Sequence, residues 1–215
     1  MPTPDKHFRR EDGRYREAII SQALRDFHDH GIKGVTMSQI AEELHISKRT
    51  LYEVYASKEE LVTDCLQTAE VANRKINEEI AASSSNVLDA ILLIFRKRLD
   101  ESHHISPRFI ADLQNYKTAR EHFARLHDMR REEALAFLER GIEEGVFAPQ
   151  TNFGVVYDMA KMMVDNVITL DLLSKMPMHE VFAATVICYI RGCTTEKGQR
   201  IIDDWLREQN ERKQP

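Results

Sequence analysis

A short segment between residues 47 and 55 combines polar side chains with the spacing of an amphipathic helix. Its apolar residues share one face, and the opposite face carries a row of hydroxyl and charged groups: Ser47, Lys48, Arg49, Thr50 and Glu53. Such groups hydrogen-bond to base edges, and a helix fits the major groove of B-DNA, which is about 12 Å wide. The pattern therefore favours recognition of double-stranded DNA.

Arg49 is the candidate for reading a base, because its guanidinium matches the two acceptors of a guanine in the major groove. Lys48 and Thr50 are expected to assist, and Glu53, one turn later, can accept from cytosine. In the alternative interpretation, Arg49 pairs with Glu53 along an exposed helix face, because the two are four residues apart. The sequence leaves both interpretations open.

Three further residues are placed to meet the phosphate backbone at the edges of this face. Tyr52 flanks the row with a hydroxyl that can reach a phosphate. Lys58 and Thr36 lie where two other helices are predicted to begin, and free N–H groups at a helix start attract phosphate. These residues are predicted to hold the DNA without reading its sequence.

Two Glu-x-x-His pairs, Glu42 with His45 and Glu101 with His104, have the spacing found in di-iron helical bundles. Such a site needs two further inward glutamates from other helices, and the sequence does not identify them. The first pair lies on a helix whose buried face is already occupied, and the second lies at a helix end. We therefore expect no metal, no cofactor and no catalytic residue, and keep a helical metalloenzyme only as an alternative.

The elements that must position the polar row are three short helices closed by a long one. Apolar residues at helical spacing predict a helix over 11–30, followed by Gly31 in a left-handed cap. Thr36 and Gln39 have the spacing of a capping box that begins the second helix. Ser47 is predicted to cap the third helix, and Ser57 the long fourth. About three residues separate the second and third helices, which predicts a helix-turn-helix over 36–55.

The remaining sequence also has helical periodicity, without strand-like alternation. Helices are predicted near 86–102, 107–116, 118–144, 152–175, 178–191 and 194–211. The predicted fold class is all-α, with an N-terminal three-helix helix-turn-helix domain joined by a long helix to a helical bundle. We divide the chain into a flexible arm at 1–10, a DNA-binding domain at 11–60, and a dimerisation and effector domain at 61–215.

Composition limits these assignments without deciding them. The 215 residues have a net charge of −5, and the first 60 carry 10 Lys and Arg against 11 Asp and Glu. Bulk charge therefore gives no support to nucleic-acid binding, which would have to depend on where individual cations lie. Three cysteines without metal-type spacing, and no apolar run long enough for a bilayer, predict a cytoplasmic protein.

Residues 16–61 resemble the DNA-binding domain of TetR-family transcriptional regulators. The resemblance rests on Phe27-x-x-x-Gly31, the Thr36 to Ala41 start, the run from Ser47 to Tyr52, and the Ser57-Lys58-Glu59-Glu60-Leu61 segment. It covers about the first 65 residues, while residues 189–206 look like the C-terminal end of some members. Arg49 stands where the family often has Gly, Glu53-Val54 where it often has Tyr-His, and His45 where it often has a Gly turn.

The resemblance implies a sequence-specific, DNA-binding repressor. It implies a homodimer on a palindromic operator, associated with the nucleoid and released when a small-molecule effector shifts the long fourth helix. A nucleoid-associated protein without an effector is a second alternative. The resemblance, together with a Met-rich and aromatic stretch, predicts an apolar effector pocket from Phe95, Phe109, Tyr116, Phe153, Tyr157, Met159, Met162 and Met163.

Two C-terminal helices are too apolar for a surface position. The segment from Val181 to Ile190 has Thr185 as its one polar side chain, and the preceding helix is also broadly apolar. Helices that are apolar on every face must be covered on every side. We therefore predict a two-fold homodimer through Val167, Leu170, Leu173, Val181, Val186 and Ile190.

Overall fold

The structure is a computed structural model that describes residues 6–113, 115–169, 172 and 175–212. Within these residues the chain forms ten helices and no strand. The helices are α1 (Lys6–His30), α2 (Met37–Glu43), α3 (Lys48–Val54), α4 (Lys58–Ser83), α5 (Val87–Ser102), α6 (Pro107–Leu113), α7 (Lys117–Glu143), α8 (Phe153–Thr169), α9 (Met178–Cys193) and α10 (Glu196–Arg212). The predicted all-α class is confirmed.

Helix α1 begins earlier than the sequence analysis predicts. Residues 6–10, which we assigned to a flexible arm, already have helical backbone. The segment has charged and aromatic residues and no proline after Pro4, so nothing interrupts the helix on the N-terminal side of its amphipathic part. The assignment of residues 1–5 to an arm lies outside the described residues.

The described chain forms two compact units that do not follow the order of the sequence. The first contains residues up to Asn73 together with His104–Phe123, and the second contains Arg74–His103 and the residues from Ala124 onward. Helices α4 and α7 therefore each contribute residues to both units. The sequence analysis instead predicts one boundary between the two folded domains, between residues 60 and 61.

The core of the first unit is built by α1 to α4 and completed by residues from α6 and α7. Phe27, Ile40, Leu51 and Leu61 are fully buried in it, and Phe109 of α6 joins them at 6% exposure. The core of the second unit gathers Val87, Leu92, Val146 and Ile202 with other apolar side chains. In this unit α5 packs against α9 and α10. Each unit thus has its own hydrophobic centre.

Candidate nucleic-acid interface

The start of α3 is built by two hydroxyl groups. Ser47 has extended backbone, and its Oγ accepts from the Thr50 amide at 2.9 Å, as an N-cap does. The two hydroxyls also lie 2.8 Å apart and share a hydrogen bond. The Ser47 hydroxyl therefore accepts from one of the free amides in the first turn of α3 and marks where the helix begins.

The charged residues of α3 extend into solvent, as the sequence pattern predicts. Lys48, Arg49, Tyr52 and Glu53 are exposed, while Leu51 on the opposite side is fully buried. The Lys48 ammonium lies 5.9 Å from the centre of the Tyr52 ring. The face that carries the charged groups is accessible to a partner over its whole length.

Arg49 and Glu53 form the ion pair that the alternative interpretation describes. Arg49 Nε donates to Glu53 Oε1 at 2.9 Å, and the Arg49 side chain is 88% exposed. Exposed pairs of this kind contribute little to stability. The pair therefore leaves the guanidinium available to a stronger acceptor such as a guanine edge.

The turn that separates α2 from α3 is closed by the backbone. The His45 amide donates to the Glu42 carbonyl and the Ile46 amide to the Ala41 carbonyl, each at 3.0 Å. These two bonds form a Schellman motif, in which the residue after the cap has positive φ. His45 occupies that position with φ of 53°. His45 therefore occupies a position with positive φ that glycine most often occupies.

Thr36 forms the predicted capping box at the start of α2. Its Oγ1 accepts from the Gln39 amide at 3.2 Å, and its own amide donates to Gln39 Oε1 at 2.8 Å. The residue is exposed. Thr36 is therefore accessible at a helix start, in agreement with a role at the edge of the interface.

Lys58 does not point to solvent, and its predicted contact with phosphate does not match the structure. Its Nζ donates to the carbonyl oxygens of Ile32 and Val35 and lies 5.9 Å from the centre of the Phe27 ring. Burial lowers the pKa of this ammonium. Lys58 is drawn inward because those carbonyls, between α1 and α2, lack helical partners.

A second group of charged residues links three helices of the first unit. Asp64 of α4 accepts from Arg16 of α1, and the Tyr55 hydroxyl, directly after α3, donates to the same carboxylate. The sequence analysis did not identify this group. The available signal was a carboxylate among Leu61, Val62 and Cys65, on the buried side of α4.

The segment 104–123 is attached to the end of α1. The Ser106 amide donates to the His28 carbonyl at 2.7 Å, and the His28 and Phe109 rings lie edge to face at 4.9 Å. Gly31, with φ of 77°, allows α6 to approach, since an added Cβ would lie 2.8 Å from Arg108 Cβ. Asp112 accepts from the Lys33 amide at 2.7 Å.

The eight residues predicted to line an effector pocket are divided between the two units. Phe109 and Tyr116 pack with the core of the first unit. In the second unit, Phe95 and Phe153 are buried, Tyr157 stacks on His127, and Met163 is half-buried. Met159 and Met162 are 45% and 62% exposed, because they lie on the outer side of α8. The pocket assignment stays a prediction.

A cavity of about 390 Å³ lies in the second unit. The turn after α4 forms one wall, and α5 and α10 form the others, with Leu92, Arg96 and Trp205 among the lining residues. None of the eight predicted residues lines this cavity. It depends on contacts between distant helices, which periodicity does not reveal.

Of the six residues predicted for a dimer interface, the structure describes three side chains, which are buried or half-buried. Val181 is 7% exposed, Ile190 packs on the core of the second unit, and Val186 is half-buried. The Val167 side chain, Leu170 and Leu173 lie outside the described residues. The exposed apolar groups on α8 are instead Val155, Met159 and Met162, and the exposed face of α9 includes three small residues, Ala184, Cys188 and Gly192.

The Glu-x-x-His pairs are not brought together with other ligands. Glu101 pairs with Lys97 and Arg98, and Glu42, His45 and His104 are exposed. Within the described ranges, no group of three His, Cys, Asp or Glu side chains is arranged to hold a metal ion. None of the helices in the described part of the chain is long and apolar enough to cross a bilayer.

Comparison with known proteins adds independent information on the first unit. Residues 19–65 match the model of the family described as bacterial regulatory proteins, tetR family. The HTH-type transcriptional repressor KstR2 of Mycobacterium tuberculosis is 26% identical over 147 residues, which span 66% of this chain and 74% of that protein. The family-model match includes α2 and α3.

Solved structures share the fold along most of the chain. A TetR-family transcriptional regulator from Cytophaga hutchinsonii superposes with a TM-score of 0.65 at 15% identity, covering 86% of this chain and 98% of that one. The regulator CifR, solved as a cysteine mutant with 26-bp operator DNA, gives 0.58 at 15% identity, covering 82% and 95%. At these identities the structural likeness shows the fold alone.

Proposed function

Since this chain is a DNA-binding transcriptional regulator of the TetR family, we propose that it represses transcription as a homodimer on a palindromic operator and that a small-molecule effector releases it. The observation that carries the proposal is the polar row of α3, whose charged residues are exposed. The Schellman motif ends α2 and Ser47 caps α3, so the turn between the two helices is fixed on both sides. Such an element can enter the major groove with its N-terminal end. The similarity to KstR2, which is named a repressor, supports repression.

Residue roles follow from exposure and chemistry. Arg49 reads a guanine, with Lys48 and Thr50 assisting, and Glu53 is placed to accept from a cytosine. Tyr52 and Thr36 contact phosphates at the edges of the groove. Lys58 takes no part in this set, because its ammonium is bonded within the protein.

The homodimer uses α8 and α9. Val155, Met159 and Met162 are at i, i+4 and i+7, so they form one exposed apolar stripe along α8. Ala184, Cys188 and Gly192, spaced by four, let a neighbouring helix approach α9 closely. Two copies related by a two-fold axis cover these faces and present two copies of α3 to successive turns of the groove.

The effector binds the second unit, where the cavity combines apolar side chains such as Leu92 and Trp205 with polar and charged ones such as Asp89 and Arg96. Helix α4 is continuous from Lys58 to Ser83 and has residues in both units, so a displacement at one end is carried to the other. The effector then changes the spacing of the two α3 helices and lowers the affinity for the operator. No catalytic step is part of this function, and action on chromosomal DNA requires the cytoplasm.

The test is selection of bound sequences from a random DNA pool with the full-length protein. The proposal expects enrichment of an inverted repeat whose half-sites are about one helical turn apart, or a multiple of it. A library of small apolar metabolites is then screened for release of the enriched DNA. Absence of any enriched sequence contradicts operator binding, and enrichment of a single unrepeated half-site contradicts the homodimer.

A further inference from the structure

Helix α3 is short, and few of its side chains reach the core. It contains seven residues, of which Leu51 is buried and Val54 is partly buried against the core of the first unit. The helix packs against α1 and α2, but propensity alone does not stabilise so short a helix, so its direction depends on tertiary contacts. Base reading requires the polar row to be held in a defined direction, so other contacts must supply the orientation.

The residue directly after α3 supplies one such contact. Tyr55 caps the helix with extended backbone, is 3% exposed, and donates its hydroxyl proton to Asp64 Oδ2. Asp64 belongs to the second turn of α4 and is itself 8% exposed. The C-terminal end of α3 is thereby bonded to the helix that follows it.

Arg16 extends the connection to α1. Its Nε donates to Asp64 Oδ2 at 2.8 Å and its Nη2 to Oδ1 at 2.5 Å, which is the bidentate geometry of a strong ion pair. One carboxylate therefore accepts three hydrogen bonds from two other segments. The Asp64 carboxylate therefore connects α1, α4 and the C-terminal end of α3.

The protonation states in this network are fixed near neutral pH. Burial acts to raise the pKa of Asp64, but the hydrogen bonds from Arg16 and Tyr55 leave it below its ordinary value. Burial and the neighbouring carboxylate raise the pKa of Tyr55. The carboxylate thus stays ionised and the phenol keeps its proton, so donor and acceptor roles do not exchange under conditions in which DNA is bound.

We propose that Tyr55, Asp64 and Arg16 are positioning residues for operator recognition: they hold the C-terminal end of α3 against α1 and α4 and thereby set the direction of the polar row. None of the three needs to touch DNA for this role. The inference rests on α3 being the DNA-reading helix. It predicts that a variant with a weakened network loses preference for operator over other DNA while the protein stays folded.

Tyr55→Phe is the decisive variant, because it removes one oxygen and leaves the ring in the core. We expect operator affinity to fall roughly 2- to 10-fold, the range of one lost hydrogen bond, while affinity for non-operator DNA is unchanged. Tyr15→Phe is the matched control, since Tyr15 is 38% exposed on α1 next to Arg16 and should give wild-type values. Both affinities are measured by fluorescence anisotropy well below the melting temperature.

A double-mutant cycle separates positioning from a general structural effect. If the network acts through the direction of α3, Tyr55→Phe costs less operator affinity in an Arg49→Ala background than in the wild type. Arg16→Lys, which keeps the charge but loses the bidentate pair, should reproduce part of the loss. Independent, multiplicative effects of Tyr55→Phe and Arg49→Ala would overturn positioning through this row.

The acid side of the stability profile tests whether the ion pair forms in solution. An aspartate whose pKa is lowered by folding stabilises the protein above about pH 4 and loses that contribution as pH falls through the lowered pKa. Wild-type protein should therefore lose more unfolding free energy between pH 5 and pH 3 than Asp64→Asn. Identical losses in the two proteins would show that the network is absent.

The outcomes distinguish this inference from the proposed function. If the wild type prefers its selected operator and Tyr55→Phe keeps the same preference, the positioning role is wrong and operator binding stands. If Tyr55→Phe weakens operator and non-operator DNA equally, the role is also wrong. If the wild type selects no sequence at all, the proposed function fails, and the positioning role fails with it.

Discussion

In the free protein, Arg49 donates to Glu53 at 2.9 Å. When DNA is bound, a base competes with Glu53 for the Arg49 guanidinium. In free protein both groups are exposed, and water screens their attraction. In the groove, a guanine offers Arg49 two acceptors in one plane, which a single bond to Glu53 does not match. We therefore expect Arg49 to exchange Glu53 for the base.

Arg49→Ala tests this exchange. Operator affinity should fall roughly 5- to 150-fold, and specificity should relax at one base pair in each half-site. The measurement is binding to the selected operator and to its single-base variants. Glu53→Gln is the companion variant, since it removes the competing carboxylate charge. Equal weakening by Arg49→Ala on every sequence would assign Arg49 to the backbone, and no change would leave it as a surface ion pair.

Lys58 and Lys48 are two lysines with opposite environments. Lys58→Ala should lower the free energy of unfolding by about 1–3 kcal/mol, because two carbonyls of the loop before α2 lose their donor. Lys48→Ala should leave stability unchanged and reduce the slope of log affinity against log salt by about 1 per subunit. Denaturant unfolding and a salt series measure the two effects. A reduced salt slope in a stable Lys58→Ala protein would restore Lys58 to the phosphate contacts.

Among the helices and turns, the α2–α3 turn carries backbone strain at a residue that is not glycine. His45 has φ of 53° within the Schellman motif that ends α2. A side chain in this region costs about 1–2 kcal/mol, although histidine tolerates it better than most residues. The strain is kept because both hydrogen bonds of the motif depend on that conformation.

His45→Gly should raise the free energy of unfolding by up to about 1 kcal/mol, since glycine adopts positive φ without a clash but loses more entropy on folding. His45→Val should lower it, because a β-branched residue is poorly tolerated there. Glu42→Gly is the matched control on the exposed side of α2, with an expected loss of about 1 kcal/mol. Chemical denaturation gives all three values. A loss for His45→Gly as large as that of Glu42→Gly would contradict the strain.

At the scale of the whole molecule, the exposed faces of α8 and α9 are poorly suited to a monomer, because they present apolar side chains to water. Met162 is 62% exposed and Val155 52%, on a helix that also packs Phe153 and Val156 against the core of the second unit. Contiguous apolar surface of this kind marks an interaction site in most proteins. A second copy of the chain supplies the same surface and satisfies both faces at once.

Met159→Glu combined with Met162→Glu should convert the dimer to a monomer, because each copy would place two charges in an apolar interface. Operator affinity should fall with it, since the two half-sites are then bound independently. Val71→Glu is the control, because Val71 is 66% exposed on α4 outside this stripe. Sedimentation velocity at micromolar concentration gives the oligomeric state. A wild-type monomer, or a dimer that survives both charges, would contradict the α8 interface.

The sequence by itself determined the local structure of this protein. Thr36, Ser47 and Gly31 were identified as caps, and each has the predicted geometry, because a cap depends on a side chain and the two or three residues beside it. Helix order and the buried face of the helix-turn-helix follow from a period of 3.6 residues. The polar row of α3 could be found for the same reason.

Tertiary structure decided which of several polar or apolar groups face inward. Lys58 turns toward two loop carbonyls, and Asp64 is ionised inside a core, because partners distant in sequence meet them there. Phe109 joins the first unit although it follows α5, since its helix packs on α1. The apolar residues of α8 and α9 are spread over more than one face of each helix, so periodicity alone does not decide which of them face outward. Only the packed neighbours determined that Met159 faces out and Val181 faces in.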